Sequence, residues 1–155
     1  MTTSFLEIRK MIFDDLVFVN NVRNSKLTRH MLEDSREISL EETERWFLSK
    51  NPEWFVIESN DQPVGYIRTS DNTGKSICIG CDIDPDQRRK GFAKKAYEKF
   101  ISNLYAKGFV NIWLDVFREN EPALNLYRKL GFFEIGSRSV RSKEYVTMVH
   151  KRGTN

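Results

Sequence analysis

The sequence predicts an α/β protein with a central mixed, mostly antiparallel sheet that carries helices on both faces. Three observations support this fold class. Apolar and polar residues alternate over several short segments, as in half-buried strands. Two longer segments repeat apolar residues at helical spacing. The segments follow the order strand, helices, three strands, helix, strand, helix and two strands, so that one helix joins two strands that can be parallel neighbours.

Length and composition indicate one globular domain over residues 1–155. Hydrophobic residues make up 39% of the chain and charged residues 30%, as in ordinary soluble proteins. The net charge of +3 is too small to favour nucleic acid as a partner. No segment is apolar enough to span a bilayer, and the first ten residues hold no apolar signal core. We therefore expect a cytoplasmic protein without a membrane partner.

The N-terminal third predicts one strand followed by helices. Residues 5–11 alternate apolar and polar side chains, which favours a first strand. Residues 13–32 have helical character, in one or two pieces. Ser39 and Glu42 fit a capping box, so we expect a helix after them that ends before Pro52.

Residues 53–83 predict a three-stranded antiparallel meander. Its strands cover residues 53–58, 63–70 and 75–83, and the turn-rich NDQP segment joins the first two. Side chains of the third strand alternate between two faces. One face carries Ile77, Ile79, Cys81 and Ile83, and the other carries Cys78, Gly80 and Asp82.

The C-terminal half predicts helix, strand, helix and a final pair of strands. Apolar residues share one face of a helix over residues 91–107, which a glycine closes. A strand follows near residues 110–116. Residues 120–131 carry an asparagine cap, a proline in the first turn and a glycine stop, which are typical of a short helix. Two strands near residues 132–137 and 143–150 complete the chain.

Basic residues crowd around Gly91, where a strand leads into a helix. The first N–H groups of a helix have no partner within it, and the helix dipole adds positive charge there. A glycine lets an anion approach these amides closely, and Arg88, Arg89 and Lys90 add charge around them. The turn therefore indicates a phosphate site, with a charged, solvated helix start as the alternative.

Two segments resemble the GNAT superfamily of N-acetyltransferases. The turn matches the R/Q-x-x-G-x-G/A acyl-CoA motif of that superfamily through Arg88, Gly91 and Ala93. Further along, NEPALNLYRKLGF places an asparagine at a helix start and Tyr127 two turns later. The resemblance covers residues 76–150 well and the first half in outline. It implies a GNAT-like fold and acetyl-CoA as co-substrate.

The same resemblance implies which residues bind acetyl-CoA. The strand backbone of Cys81, Asp82 and Ile83 would pair with the pantetheine arm as an added strand does, and Asn120 would lie beside that arm. The pyrophosphate would be held by the amides of one short run, Arg88, Arg89, Lys90, Gly91, Phe92 and Ala93.

A catalytic role for Tyr127 also follows from the resemblance. In the superfamily, acetyl transfer is usually direct, and a tyrosine at this place protonates the departing thiolate. A free thiol has a pKa of about 8.5, so a tyrosine donor gives modest assistance. The alternative for Tyr127 is a core aromatic residue at helical spacing with Ala123 and Leu130.

The acceptor amine must lose a proton, and the superfamily has no fixed base. Asp82 and Asp115 lie on the non-aliphatic faces of two predicted central strands, where a carboxylate can reach a cleft. Glu33 is a third candidate. The alternative for the two aspartates is that each is the partner of a nearby basic side chain.

Cysteine and histidine placement predicts neither a disulfide nor a metal site. Cys78 and Cys81 form a C-x-x-C, but in a strand their side chains point to opposite faces. His30 and His150 have no metal-like spacing. We therefore expect no metal.

The acceptor prediction rests on residues 20–47, which resemble a GNAT branch with the pattern R-N…R…M…I-S-x-E…W. This branch contains ribosomal-protein N-terminal acetyltransferases and enzymes that acetylate the 4-amino group of nucleotide-linked amino sugars, as in the pseudaminic acid pathway. The ISLEE segment is closer to the sugar-nucleotide enzymes, although Val22 stands where the branch has tryptophan.

An acceptor wall follows from this resemblance. Arginine would grip a diphosphate, while Met31 or Trp46 would pack on a sugar or base. The alternative is that Met31 and Trp46 are core residues and the arginines are surface charges. The predicted wall consists of Arg23, Asn24, Arg29, His30, Met31 and Trp46.

The predicted function is acetyl-CoA-dependent N-acetylation of a small primary amine, first of all a nucleotide-linked amino sugar. Protein N-terminal or lysine acetylation is the second hypothesis. A non-catalytic acyl-CoA-sensing or nucleic-acid-binding module is the hypothesis from another class, and Tyr127 in an intact motif argues against it. The protein would act as a monomer or a homodimer.

Overall fold

The computed structural model describes residues 5–152, which form a seven-stranded sheet with helices on both faces. This confirms the predicted fold class. The strands are β1 (Leu6–Lys10), β2 (Phe55–Ser59), β3 (Gln62–Ser70), β4 (Ser76–Ile83), β5 (Asn111–Phe117), β6 (Phe132–Val140) and β7 (Lys143–His150). Their order in the sheet is β1-β2-β3-β4-β5-β7-β6. Only β4 and β5 pair in parallel among these strands.

Five helices accompany the sheet in the described residues: α1 (Leu16–Asn24), α2 (Lys26–Arg29), α3 (Leu40–Lys50), α4 (Phe92–Ala106) and α5 (Glu121–Leu130). The chain also forms short 3-10 turns at Phe13–Asp15 and Pro85–Gln87. Because α4 joins β4 to β5, these two strands run in the same direction, as predicted. No helix between residues 5 and 152 combines the length and the apolar character needed to cross a membrane.

The helical segment predicted over residues 13–32 is interrupted at Ser25. This residue has φ −58° and ψ 140°, which is outside the helical region. Its hydroxyl donates to the carbonyl of Val22 at 2.8 Å and lies 2.8 Å from the hydroxyl of Thr28, which can donate to it. Serine competes in this way with backbone hydrogen bonding, so α1 and α2 form as separate helices.

Only one of the two hydrogen bonds of the predicted capping box is present at the start of α3. The Ser39 hydroxyl accepts the N–H of Glu42 at 3.1 Å, as predicted. The carboxylate of Glu42 does not return to Ser39; it lies 3.9 Å from the guanidinium of Arg36. The Ser39 side chain therefore caps the helix alone, because an arginine in the preceding loop attracts the glutamate.

Two apolar cores lie on opposite faces of the sheet. On one face, β-strand residues such as Ile57, Ile67 and Ile79 pack with the buried side of α4 and with α5. On the other face, Val56 and Tyr66 pack with residues of α1. Neighbouring residues of one strand thus belong to different cores, as the period of two requires.

Candidate active site

A gap opens between β4 and β5 in the middle of the sheet. The two strands pair at three positions only, the last being Cys78 with Trp113. Beyond that point β4 remains paired with β3, and β5 remains paired with β7, so the two strands separate from each other. From Ile79 to Ile83, the edge of β4 that faces β5 has no strand partner among residues 5–152. An extended ligand can pair with such an edge as an additional strand.

A cavity of about 570 Å³ fills the gap and reaches both faces of the sheet. Trp46, which packs on the α1 side, and Tyr127, which belongs to the α4–α5 core, both line it. Residues of opposite faces meet in one cavity because the sheet is open between β4 and β5. Cys81 and Asp82, two of the three strand residues predicted to pair with pantetheine, also line it.

The start of α4 differs from the starts of α3 and α5. Ser39 caps α3 and Asn120 caps α5 through side-chain oxygens, whereas no side chain in the described residues caps α4. Gly91 precedes α4 with φ +79°, and a Cβ built on it would meet nothing within 4 Å. The first amides of α4 are therefore free to bind an anion in open space.

Two of the three basic side chains predicted around this turn are held by neighbours. The guanidinium of Arg88 donates to the carbonyl of Ile83 at 3.3 Å and to the hydroxyl of Thr28 at 3.1 Å. The ammonium of Lys90 donates to Gln87 at 3.0 Å. Arg88 thus fastens the turn to α2, and an anion at this turn would meet mainly backbone amides. The turn residues from Arg88 to Ala93 lie outside the lining of the cavity.

Tyr127 reaches the cavity from the core and is protonated at neutral pH. The residue is 8% exposed and lines the cavity. Burial raises the pKa of Tyr127 to about 12, so the phenol keeps its proton at neutral pH. The ring also packs edge-to-face on Phe132, which means that Tyr127 is at once a core residue and a cavity residue.

The Tyr127 hydroxyl has a partner that sequence reasoning missed. The hydroxyl of Tyr97 in α4 lies 3.1 Å away, and the two rings meet edge-to-face. Asn120, the other predicted residue of this segment, lines the cavity while its Oδ1 accepts the N–H of Ala123 at 3.3 Å.

Each carboxylate predicted as a base has an arginine partner. Oδ2 of Asp82 lies 3.0 Å from Nε of Arg68. Burial lowers the pKa of Arg68, but Asp82 and the nearby tyrosines together raise it by more, so the guanidinium keeps its charge. The two atoms are not aligned for a hydrogen bond.

Asp115 is bound at both oxygens. Its Oδ1 accepts the hydroxyl of Thr147 at 2.6 Å, and its Oδ2 accepts Nε of Arg138 at 3.0 Å. The same guanidinium donates to Glu33 at 3.0 Å. The predicted alternative, a carboxylate paired with a nearby basic side chain, therefore describes both aspartates.

The residues predicted as an acceptor wall do not lie together. Met31 and Trp46 line the cavity. Arg23 and Arg29 point to the backbone of the segment that follows α2: Arg23 donates to the carbonyls of Asp34 and Arg36, each at 2.6 Å. Arg29 reaches the carbonyl of Ser35 at 3.4 Å.

Asn24 holds the same segment, and His30 has a different place. The amide of Asn24 donates to the carbonyl of Ile38 at 2.6 Å and accepts its N–H at 2.9 Å. His30 is exposed and does not line the cavity. Of the six predicted wall residues, Arg23, Asn24 and Arg29 therefore shape the loop from which Met31 and Glu33 reach the site.

Several cavity residues carried no functional signal in the sequence. Arg68 lies in a predicted strand, and its guanidinium is 2.7 Å from the place where a Cβ on Gly80 would be.

Four carboxylates and three cations line the cavity: Glu33, Asp71, Asp82 and Asp115 against Lys50, Arg68 and Arg138. Aromatic residues form much of the remaining lining, namely Trp46, Trp54, Trp113, Phe117, Tyr127 and Tyr145.

Comparison with known proteins finds a matching family and similar enzymes. Residues 19–132 match the model of the Acetyltransferase (GNAT) family. The [ribosomal protein bS18]-alanine N-acetyltransferase of Salmonella typhimurium is 27% identical over 108 residues, which cover 68% of this chain and 71% of that enzyme. The peptidyl-lysine N-acetyltransferase YjaB of the same organism is 30% identical over 118 residues, which cover 76% and 75%.

A solved structure shares the fold. Spermidine N-acetyltransferase from Vibrio cholerae, in complex with CoA and spermine, superposes with a TM-score of 0.82. It is 23% identical in sequence, and the match covers 93% of this chain and 94% of that one.

Proposed function

The chain belongs to the Acetyltransferase (GNAT) family, and from this premise we propose that it transfers the acetyl group of acetyl-CoA directly to a primary amine of a polypeptide. The observation that carries the proposal is the gap between β4 and β5. It joins an unpaired strand edge and a buried phenol in one cavity that is open to both faces of the sheet.

The residues around the gap fit acetyl-CoA as co-substrate. The uncapped amides at the start of α4, with Gly91 open above them, suit the diphosphate. The β4 backbone over Cys81, Asp82 and Ile83 suits the amides of the pantetheine arm. Asn120 at the start of α5 lines the same cavity, which supports a place for it beside that arm.

The transfer proceeds by attack of the neutral amine nitrogen on the thioester carbonyl carbon. A C–N bond forms, the C–S bond breaks, and the sulfur takes the proton of the Tyr127 hydroxyl. The nitrogen loses one proton, and Tyr127 regains one from solvent, so that an amide and free CoA thiol are the products. A phenol with a raised pKa is a weak acid, and its contribution is to hold the proton at the departing sulfur.

Asp82 is the better candidate to accept the amine proton. Asp115 uses both oxygens, for Thr147 and for Arg138. Asp82 has one arginine contact, through a single oxygen and without hydrogen-bond alignment. We assign Asp82 the role of proton acceptor, directly or through a water, and Asp115 the role of anchoring Arg138.

The charge of the lining supports this choice of acceptor. Carboxylates outnumber cations, and both lining arginines already have carboxylate partners. Such a surface favours a cationic amine over a substrate with a diphosphate. The two relatives act on a ribosomal-protein alanine and on peptidyl-lysine, according to their names, which supports a polypeptide amine.

A nucleotide-linked amino sugar is the second candidate. Trp46 and Met31 offer apolar surface on which a sugar or base can pack. Within the described residues, Arg23 and Arg29 would have to release loop carbonyls in order to grip its diphosphate. This cost places the sugar nucleotide second.

An acceptor panel tests both candidates by release of free CoA thiol. The panel holds peptides with N-terminal alanine, peptides with internal lysine, spermidine and a nucleotide-linked 4-amino sugar. We expect kcat/KM to be highest for a peptide. Highest kcat/KM for the sugar nucleotide would reverse the order of the candidates. Turnover of no acceptor by a protein that binds acetyl-CoA would contradict the proposed acceptor classes.

A further inference from the structure

The hydroxyls of Tyr97 and Tyr127 form an isolated pair in the core. They lie 3.1 Å apart, and neither has another hydrogen-bond partner among residues 5–152. Tyr97 is 1% exposed and takes no part in the cavity lining, whereas Tyr127 does. Two phenols carry two protons, but the pair makes one hydrogen bond, so one O–H must point elsewhere.

Burial decides which phenol donates. If Tyr127 donated to Tyr97, the Tyr97 proton would remain in the core without an acceptor, which is costly. If Tyr97 donates, the free proton belongs to Tyr127, whose side chain reaches the cavity. We propose that Tyr97 is a positioning residue that donates to the Tyr127 oxygen and thereby directs the Tyr127 proton into the cavity.

This arrangement matters in the transfer step, and the inference rests on the proposed role of Tyr127. When the Tyr127 proton moves to the departing sulfur, the phenolate oxygen is left in a buried place. The Tyr97 O–H already points at that oxygen, so no group has to reorganise as the charge forms. Edge-to-face packing of the two rings, with centroids 5.5 Å apart, holds this geometry.

Tyr97→Phe tests the inference because it removes one hydroxyl and keeps the ring. We expect kcat to fall roughly tenfold, as for one lost hydrogen bond to a developing charge. The dissociation constant for acetyl-CoA is expected to stay within about twofold, since Tyr97 lies outside the cavity. Tyr105→Phe is the matched control, because it removes a hydroxyl from the same helix that bonds to His150 instead.

A double-mutant cycle separates positioning from packing. In the Tyr127→Phe background, Tyr97→Phe is expected to have no further effect on kcat. An equal fall in both backgrounds would overturn the inference, because a packing defect does not need the Tyr127 hydroxyl. A wild-type kcat for Tyr97→Phe, with Tyr127→Phe impaired, would also overturn it. A wild-type rate for Tyr127→Phe would instead remove the proposed general acid and the inference with it.

Discussion

Nε of Arg68 lies 3.0 Å from Oδ2 of Asp82, because the arginine side chain crosses β4 over Gly80. Arg68 and Gly80 are directly opposite each other in the β3–β4 register, and the absent side chain of the glycine makes room for the guanidinium. Asp115 has an equivalent partner in Arg138. Carboxylates therefore enter the cavity together with their counter-ions, and their capacity as bases depends on which oxygens remain free.

Exchange of each aspartate for asparagine compares the two carboxylates directly. We expect Asp82→Asn to lower kcat/KM by about 10²-fold or more near neutral pH, since it removes the proposed proton acceptor. Asp115→Asn should have a smaller effect, through a looser Arg138. Rates are measured over pH 6–10 with one acceptor. A larger loss for Asp115→Asn would reverse the assignment.

Replacement of Gly91 by alanine tests the anion site with an internal control. Gly91 and Gly74 have φ of +79° and +85°, and each has open space where a Cβ would be. Alanine at either position should cost about 1–2 kcal/mol of stability because of the left-handed backbone. Only Gly91→Ala should weaken acetyl-CoA binding in calorimetry, by about fivefold or ~1 kcal/mol. Equal affinity for both variants would remove the turn from the binding site.

Arg23→Ala distinguishes two roles for this arginine: it holds the loop after α2, or it binds a phosphate of the acceptor. The guanidinium donates to two backbone carbonyls, so its loss should lower the free energy of unfolding by about 2 kcal/mol. The acceptor KM should rise by the same factor for acceptors with and without phosphate. Arg29→Ala, whose contact with Ser35 is longer at 3.4 Å, should destabilise less. A rise in KM confined to phosphorylated acceptors would support the phosphate grip.

Buried tyrosines should make the protein sensitive to alkali. Burial raises the pKa of Tyr66 and Tyr97 well above the ordinary value and that of Tyr127 to about 12. In the unfolded chain these phenols ionise near pH ~10. Above that pH the unfolded state releases protons that the folded state retains, so stability falls as pH rises towards 12.

Absorbance at 295 nm and urea unfolding measure this effect. Each buried phenol should contribute a loss of up to about 1.4 kcal/mol per pH unit above pH ~10. In the folded protein, burial raises the pKa of Tyr105 and Tyr145 as well, so no tyrosine should ionise at the pH of a free phenol. Ionisation of all five tyrosines near pH ~10 in a protein with intact far-UV circular dichroism would contradict the expected burial.

Local patterns in the sequence were sufficient to predict the elements and their faces. Ile77 and Ile79 lie in the core, while Gly80 and Asp82 lie on the cavity face of the same strand. The turn at Gly91 was also predictable, since a positive φ and an uncapped helix start concern a few adjacent residues. The partners of individual side chains were harder to predict from the sequence. The guanidinium of Arg23 is directed to carbonyls more than ten residues away, and no short-range pattern indicates that contact.

By itself, the sequence determined the order of strands and helices along the chain and the alternation that separates the two cores. It also determined the glycine that leaves the start of α4 open. These features depend on residues within one or two turns of each other, where backbone preference and side-chain period act alone. Tertiary structure decided the gap after Cys78, the arginine partner of each aspartate and the contact of Tyr97 with Tyr127. The tyrosine contact arises where α4 and α5 pack on the sheet, whereas each arginine–aspartate pair joins two different strands. Only three-dimensional packing brings such distant residues together.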